Sequence, residues 1–261
     1  MKILIPVKRV ASLEEDFEIR ADGLDVDAEF INWDLNEWDD YSLEAAVLLK
    51  EAGRVSEVCV ATVGPEEADE VLRKCLAKGA DRAIRIWDEA LAGADSIAIA
   101  RVLAALARRE RAELVLTGAQ ASDHAHGSTG TALAALLDRA HAAVVTALDI
   151  VDGRAVVQRE LEGGLLHEQA VALPAVLTIQ LGIAAPRYAS LRGIKQAAAH
   201  PIEVTGPREL GLPESEIGAP GSLSYVRSMA LPTKSRAQLI VGSPAEQAAR
   251  IAAIIREVRG D

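Results

Sequence analysis

A chain of 261 residues, 50% of them hydrophobic, is long enough for one large α/β domain or for a domain with a substantial arm, and it has ample material for a core. Its net charge of -11 argues against a nucleic-acid binder, which needs a basic face to displace counterions from phosphates, so partners are expected among proteins and small ligands. Cys59 and Cys75 stand without metal-ligand spacing and read as buried thiols of a reducing compartment; with no apolar span of ~20 residues, the chain reads as soluble and cytoplasmic, without stable membrane insertion.

Ile3-Leu4-Ile5, followed by Pro6, reads as a buried strand. Residues 41–51 carry apolar side chains at three- and four-residue spacing and stop before Gly53, which predicts a helix. A strand over 55–63 comes next, and Pro65 at a first helical position opens an amphipathic helix through Lys78, closed by Gly79. A strand over 83–87, a helix over 96–110 capped by Asp95 and a strand over 114–116 complete this half. Connections too long for hairpins predict right-handed crossovers, hence a doubly wound, mostly parallel α/β sheet with helices on both faces.

After Leu137 the pattern changes. Strands over 144–151 and 154–161 flank an Asp152-Gly153 turn, and the runs 165–173 and 175–181 are expected to extend this hairpin as an antiparallel addition to the sheet. From Ala184, six prolines (Pro186, Pro201, Pro207, Pro213, Pro220 and Pro232) interrupt sequence of weak periodicity until Pro244 opens a last helix over 245–258. Roughly 50 structureless residues are unusual inside a compact domain. The expected division is an α/β nucleotide-binding domain over 1–200 and a C-terminal arm over 201–261 lying on another subunit.

The stretch from Leu114 to Gly130 carries the chemistry. An apolar strand empties into a small, polar, glycine-bearing loop and restarts as a helix over 129–137, so free helix N–H groups and a positive dipole end meet beyond the strand. Ser128 and Thr129 add hydroxyls. The same pattern also describes a plain strand-to-helix turn in which Thr129 only caps the helix. His124 and His126 invite a zinc reading, but a site needs three or four ligands and only Asp123 accompanies them. The competing readings are an imidazole facing a phosphate and loop histidines without a role. Asn36-Glu37-Trp38-Asp39-Asp40 reads as a capping segment with acidic side chains favoured by the dipole and Trp38 stapling the chain to the core.

Several short segments gain weight from their order and spacing. They are Val7-Lys8-Arg9-Val10, Asn36 to Tyr41, Val63-Gly64-Pro65, Gly79-Ala80-Asp81-Arg82, and Gly118-Ala119-Gln120-Ala121 with Asp123 and Thr129-Gly130. Arg159-Glu160-Leu161-Glu162-Gly163-Gly164, Leu173-Pro174-Ala175-Val176 and Pro186-Arg187-Tyr188-Ala189-Ser190-Leu191 follow. From Met1 to about Pro207 the chain thereby resembles the β-subunit family of electron transfer flavoprotein. The resemblance implies an adenine nucleotide α-hydrolase-like fold and an electron carrier, not a self-sufficient enzyme. In that family a heterodimer carries one redox-active FAD, held mainly by a mobile domain of the α subunit, while the β subunit supports that domain and binds AMP. Electrons come from an acyl-CoA or related flavin dehydrogenase and leave through a quinone oxidoreductase towards the quinone pool.

Carried onto this sequence, the resemblance puts Pro6 and Val7 near the adenine, Asn36 and Val63 along its edges, and Ala121, His124, Gly127, Ser128 and Thr129 at the phosphate. Gly118, Gln120, Asp123 and Gly130 complete the cofactor-binding set; no catalytic residue and no metal is assigned. Ala125, His126 and Gly127 replace residues that are usually polar in the family, which shifts phosphate contacts towards the backbone. Leu191 matches a leucine that anchors the partner dehydrogenase, with Tyr188 and Arg187 beside it, and Glu160 matches a glutamate that positions the mobile flavin domain.

Two alternatives remain open on sequence. An electron-bifurcating or FixA-type β subunit would place a second FAD in the same cavity and oxidise NADH; the Thr129-Gly130 ending of the loop is of the AMP type. A nucleotide-hydrolysing or adenylating enzyme, or a nucleotide sensor, could share the architecture, but the chain has no Ser-Gly-Gly-x-Asp loop, no Walker lysine motif and no paired catalytic carboxylates.

Overall fold

Strand side chains alternate between two covered faces. In β1 (Lys2–Pro6) Ile3 and Ile5 face one side and Leu4 the other; Val58 and Val60 oppose Cys59 and Ala61 in β4 (Glu57–Val63), and Leu114 and Leu116 oppose Val115 in β6 (Leu114–Gly118). Burial on both faces makes these strands continuous apolar runs, the mark of a parallel sheet. The computed structural model describes residues 1–12, 17–231, 237 and 239–260; Pro232, counted among the arm's prolines, lies outside the described residues.

The first face is covered by α1 (Glu37–Glu51) and α2 (Asp69–Lys78), the second by α3 (Ser96–Arg109) and α4 (Thr129–Leu137). Cys59 and Cys75 are buried on opposite faces, and burial pushes both thiols up, Cys59 to about 12, so neither ionises near neutrality.

The remaining strands are β2 (Arg9–Ser12), β3 (Asn32–Leu35), β5 (Arg82–Ile86), β7 (Ala140–Val151), β8 (Arg154–Glu160), β9 (Leu166–Ala172), β10 (Ala175–Ile179) and β11 (Glu203–Thr205). Among the described residues the main sheet has nine strands in the order β11-β5-β4-β1-β6-β10-β7-β8-β9. From β1 the chain winds outward through β4 to β5, then crosses back to β6 on β1's other side. The order therefore reverses between β1 and β6, and a crevice opens beyond their carboxyl ends.

The run at 175–181 corrects the expectation of a purely antiparallel addition. β7, β8 and β9 do form the antiparallel meander, turning at Asp152 and Gly153, both at positive φ. β10, however, leaves the meander and inserts between β6 and β7, parallel to both. Every residue of β10 is buried, a demand met only where helices cover both faces; β9 is mostly exposed and stays at the edge.

Smaller differences have local causes. α1 starts at Glu37 rather than at residue 41, because Trp38 and Asp39 already turn inward. A one-turn 3-10 segment, Glu66–Ala68, separates Pro65 from α2. A nine-residue helix was not expected near residue 190, where α5 (Leu191–Ala199) packs on α2 in sequence read as weakly periodic. Its approach is close: a side chain at Gly193 would collide with the Ala77 carbonyl. β2 and β3, an unexpected two-stranded sheet, are joined by Arg9 stacked over Trp33 at 4.5 Å.

Beyond β11, Ile217 is buried against the second face, and Asp95 ties down the chain at 222–224. It accepts from the Leu223 and Ser224 N–H groups while also capping α3 through Ile97 and Ala98. The last helix, α6 (Pro244–Arg259), begins with a Ser243–Glu246 capping box and has no buried residue; Ile251, Ile255 and Val258 are exposed. No helix among the described residues is long and apolar enough to cross a membrane.

Candidate functional site at the switch point of the sheet

Three strand ends, two helix starts and one loop converge at the crevice. Pro6 and Val7 close β1 and are buried; Val63 ends the adjacent β4; Gly118 ends β6 and leads into the loop carrying Gln120, Ala121, Asp123, His124, Gly127 and Ser128. Thr129 and Gly130 form the first turn of α4. Residues distant in sequence and expected at one nucleotide thus meet at one end of the sheet.

Asn36 and Asp39 hold this arrangement from the head of α1. Asn36 occupies the N-cap position, yet its side chain makes no capping bond. Its Nδ2 donates to the Gln120 carbonyl at 2.9 Å and its Oδ1 accepts from the Ser122 N–H at 3.1 Å, so both polar ends of the amide engage the loop. Asp39, buried, accepts from the Lys8 N–H at 2.8 Å and the Gly118 N–H at 3.0 Å, which joins the ends of β1 and β6. Trp38 donates through Nε1 to Gln180 Oε1 at 2.8 Å, fixing the helix start to the chain after β10.

Glycine is required at two points here. A Cβ on Gly118 would lie 2.5 Å from Asp39 Oδ1 and 2.6 Å from Trp38 Cβ. One on Gly130 would strike Thr117 Oγ1 and come within 2.5 Å of Thr178 Cγ2, so α4 could not lie as close to the sheet. Thr117 Oγ1 is buried beneath that turn without a hydrogen-bond partner. The N-cap of α4, Ser128, makes no side-chain capping bond either; its hydroxyl donates to Ser96 Oγ at 2.8 Å. The two glycines let α1 and α4 pack closely on the sheet, and the start of α4, left without a side-chain cap, keeps N–H groups free for an anionic group, so the residues fit a nucleotide phosphate. The alternative in which Thr129 caps the helix does not apply, because Ser128 holds that position.

Lys8 adds a cation that sequence reasoning left out of the site. Its Nζ donates to Asp123 Oδ2 at 2.6 Å and Oδ1 at 2.8 Å, and lies 3.0 Å from His124 Nδ1. The signal was its place two residues after β1, where backbone leaves the sheet at the crevice. The His124 and His126 rings stand 5.6 Å apart, and among the described residues no group of three metal-ligating side chains occurs.

Two crevice carboxylates shift in opposite directions. Burial pushes Asp39 up from 3.8 to about 7, against its N–H donors and the Lys8 charge. Burial also acts upward on Asp123, but the His124 and Lys8 contacts outweigh it and hold the group at about 2. Between 3.8 and about 7 the folded chain keeps a proton on Asp39 that the unfolded chain has lost, so this group's contribution to stability falls as pH rises through that window. Asp123 contributes above 3.8, and its contribution is lost as pH falls towards about 2. Thermal unfolding followed across the two windows should show Asp39→Asn flattening the upper limb and Asp123→Asn the lower; unchanged limbs would refute these assignments.

The other expected residues lie elsewhere. Glu160 ends β8, is exposed and pairs in register with Leu166, on the antiparallel side of the sheet. Leu191 opens α5 and Tyr188 precedes it, 82% and 98% exposed, respectively. Arg187 turns back onto α1, with its guanidinium paired to Glu44 at 2.9 Å and Glu51 at 2.6 Å, so it anchors the loop that presents the other two.

Comparison with known proteins identifies the architecture. The model of the electron transfer flavoprotein domain family matches residues 24–209. The electron transfer flavoprotein subunit beta of Methylophilus methylotrophus is 54% identical over 263 aligned residues, covering 100% of both chains. That of Bradyrhizobium diazoefficiens is 38% identical, covering 77% of this chain and 80% of its own. The caffeyl-CoA reductase-Etf complex subunit CarD of Acetobacterium woodii is 36% identical and covers 82% of each. The chain belongs to the electron transfer flavoprotein β-subunit family, a family of electron carriers associated with flavin and with an α subunit.

Proposed function

We propose that this chain binds AMP at the switch-point crevice, packs its 201–261 arm on an α subunit that holds FAD, and docks an acyl-CoA or related flavin dehydrogenase through Leu191. Electrons then pass from the dehydrogenase through the heterodimer's FAD to a quinone oxidoreductase, and the carrier works in the cytoplasm. The observation that carries the nucleotide reading is the meeting of Pro6, Val7, Asn36 and Val63 with the uncapped start of α4 across one crevice. The exposed Ile251, Ile255 and Val258 of α6, a helix with no buried residue, support the arm's role, since such a face is stabilised by a partner surface.

When bound, FAD supplies the one- and two-electron chemistry. This chain supplies geometry: the 118–130 loop positions an anion by backbone N–H groups, Asn36 sets the loop's shape, and Arg187 fixes the loop that carries Tyr188 and Leu191. Family membership favours the carrier reading over a nucleotide-hydrolysing or sensor role.

The test is nucleotide release from the heterodimer purified with its co-expressed α subunit. One AMP and one FAD per heterodimer is the expected result. Two FAD and no AMP would replace AMP by a second FAD, as the bifurcating alternative requires, and absence of any nucleotide beyond the α subunit's FAD would overturn the site.

A further inference from the structure

A carboxylate stripped of water is costly, and an apolar side chain could fill the space of Asp39 without that cost. Asp39 is nevertheless buried, and its two oxygens accept from the first N–H groups that leave the sheet on either side of the crevice, those of Lys8 and Gly118. Gly118 is matched to it, since any Cβ there would displace Asp39 Oδ1. Lys8 is thereby held by its backbone while its ammonium reaches the loop. Among the described residues no lysine or arginine other than Lys8 bonds a side chain or backbone group of residues 118–130.

We propose that Asp39 is the positioning residue of this crevice and acts through Lys8, the side-chain cation that meets the nucleotide's phosphate. The proposal rests on the nucleotide reading above and adds two residues to it. Asp123 shares the ammonium and sets its reach: it accepts from Lys8 Nζ with both oxygens and from the His124 N–H at 2.7 Å, so lysine and loop move as one unit. Asn36, three residues before Asp39 and on the same side of α1, grips the loop at Gln120 and Ser122. The head of α1 therefore aligns both halves of an anion cradle, cation on one wall and backbone N–H groups on the other.

The experiment is a double-mutant cycle on the nucleotide-stripped heterodimer, with Lys8→Met, Asp39→Asn and the pair, read as AMP affinity by calorimetry. Lys8→Met changes a half-exposed side chain and folds irrespective of Asp39; it should weaken AMP about tenfold, the loss of roughly one charge-assisted contact. Asp39→Asn should weaken AMP by a similar factor, and the double variant should be no weaker than Lys8→Met alone, because both act at one point. A structural role for Asp39 predicts additive losses, and additivity overturns the proposal, as does full affinity in Lys8→Met. Hydrogen exchange gives a second readout: Asp39→Asn should deprotect the Lys8 and Gly118 amides. If the wild-type heterodimer binds FAD in place of AMP, the same cycle is read with FAD. A wild type that binds neither sinks the nucleotide reading and this proposal together, whereas binding with an additive cycle sinks the proposal alone.

Discussion

Gly118→Ala is expected to lower the melting temperature by roughly 5–10 °C, a large effect for a single added methyl group. The added Cβ meets Asp39 Oδ1 at 2.5 Å and Trp38 Cβ at 2.6 Å, and neither can step aside. Asp39 is fixed by the Lys8 and Gly118 N–H groups, and Trp38 by its bond to Gln180. Relief requires α1 to back away from β6, which breaks the bond to Gly118 and leaves a buried carboxylate with one acceptor idle. Overpacking costs about 1–3 kcal/mol, and a lost bond to a buried charged group adds a comparable amount. Differential scanning calorimetry checks this; a melting temperature within 1 °C of wild type, as a rough limit, would show that α1 is free to shift.

Leu191→Ala is expected to slow flavin reduction by the cognate dehydrogenase roughly thirtyfold, equivalent to about 2 kcal/mol, the usual threshold for an anchoring side chain. Thermal stability should stay within about 0.5 kcal/mol of wild type, as for surface substitutions, because Leu191 is 82% exposed and lends little to the core. Its display is built: Arg187 pins the preceding loop to Glu44 and Glu51, and Ser190 caps α5 by accepting from the Gly193 N–H at 3.0 Å. A large apolar side chain held outward beside Tyr188, itself 98% exposed, suits a partner's pocket. Stopped-flow mixing of the heterodimer with reduced dehydrogenase gives the rate, and flavin absorbance confirms that the cofactor is retained. An unchanged rate would remove Leu191 from the docking surface.

Periodicity, glycine and proline in the chain by themselves determined that a parallel sheet is wrapped by helices, that Asp152-Gly153 turns a hairpin and that a small glycine-bearing loop leads from the strand at Leu114 into a helix. Each of these follows from neighbours within a few residues: alternate or three-to-four spacing, or a turn needing positive φ. The order and spacing of its motifs also carry the family's signature, independent of any tertiary contact. Only the tertiary structure decided that β10 leaves its hairpin for the middle of the sheet, because the demand for cover on both faces is answered by α1 and α4, far away in sequence. It also decided that Asn36 grips the loop instead of capping its own helix, that Arg187 turns inward while Tyr188 and Leu191 face out, and that Lys8 and Asp39 belong to the crevice. The bonds concerned join residues 31 to 143 positions apart. A capping residue, an arginine or an acid in a first turn has several satisfying partners, and which one it takes depends on what folding brings within 3 Å, a typical hydrogen-bond length.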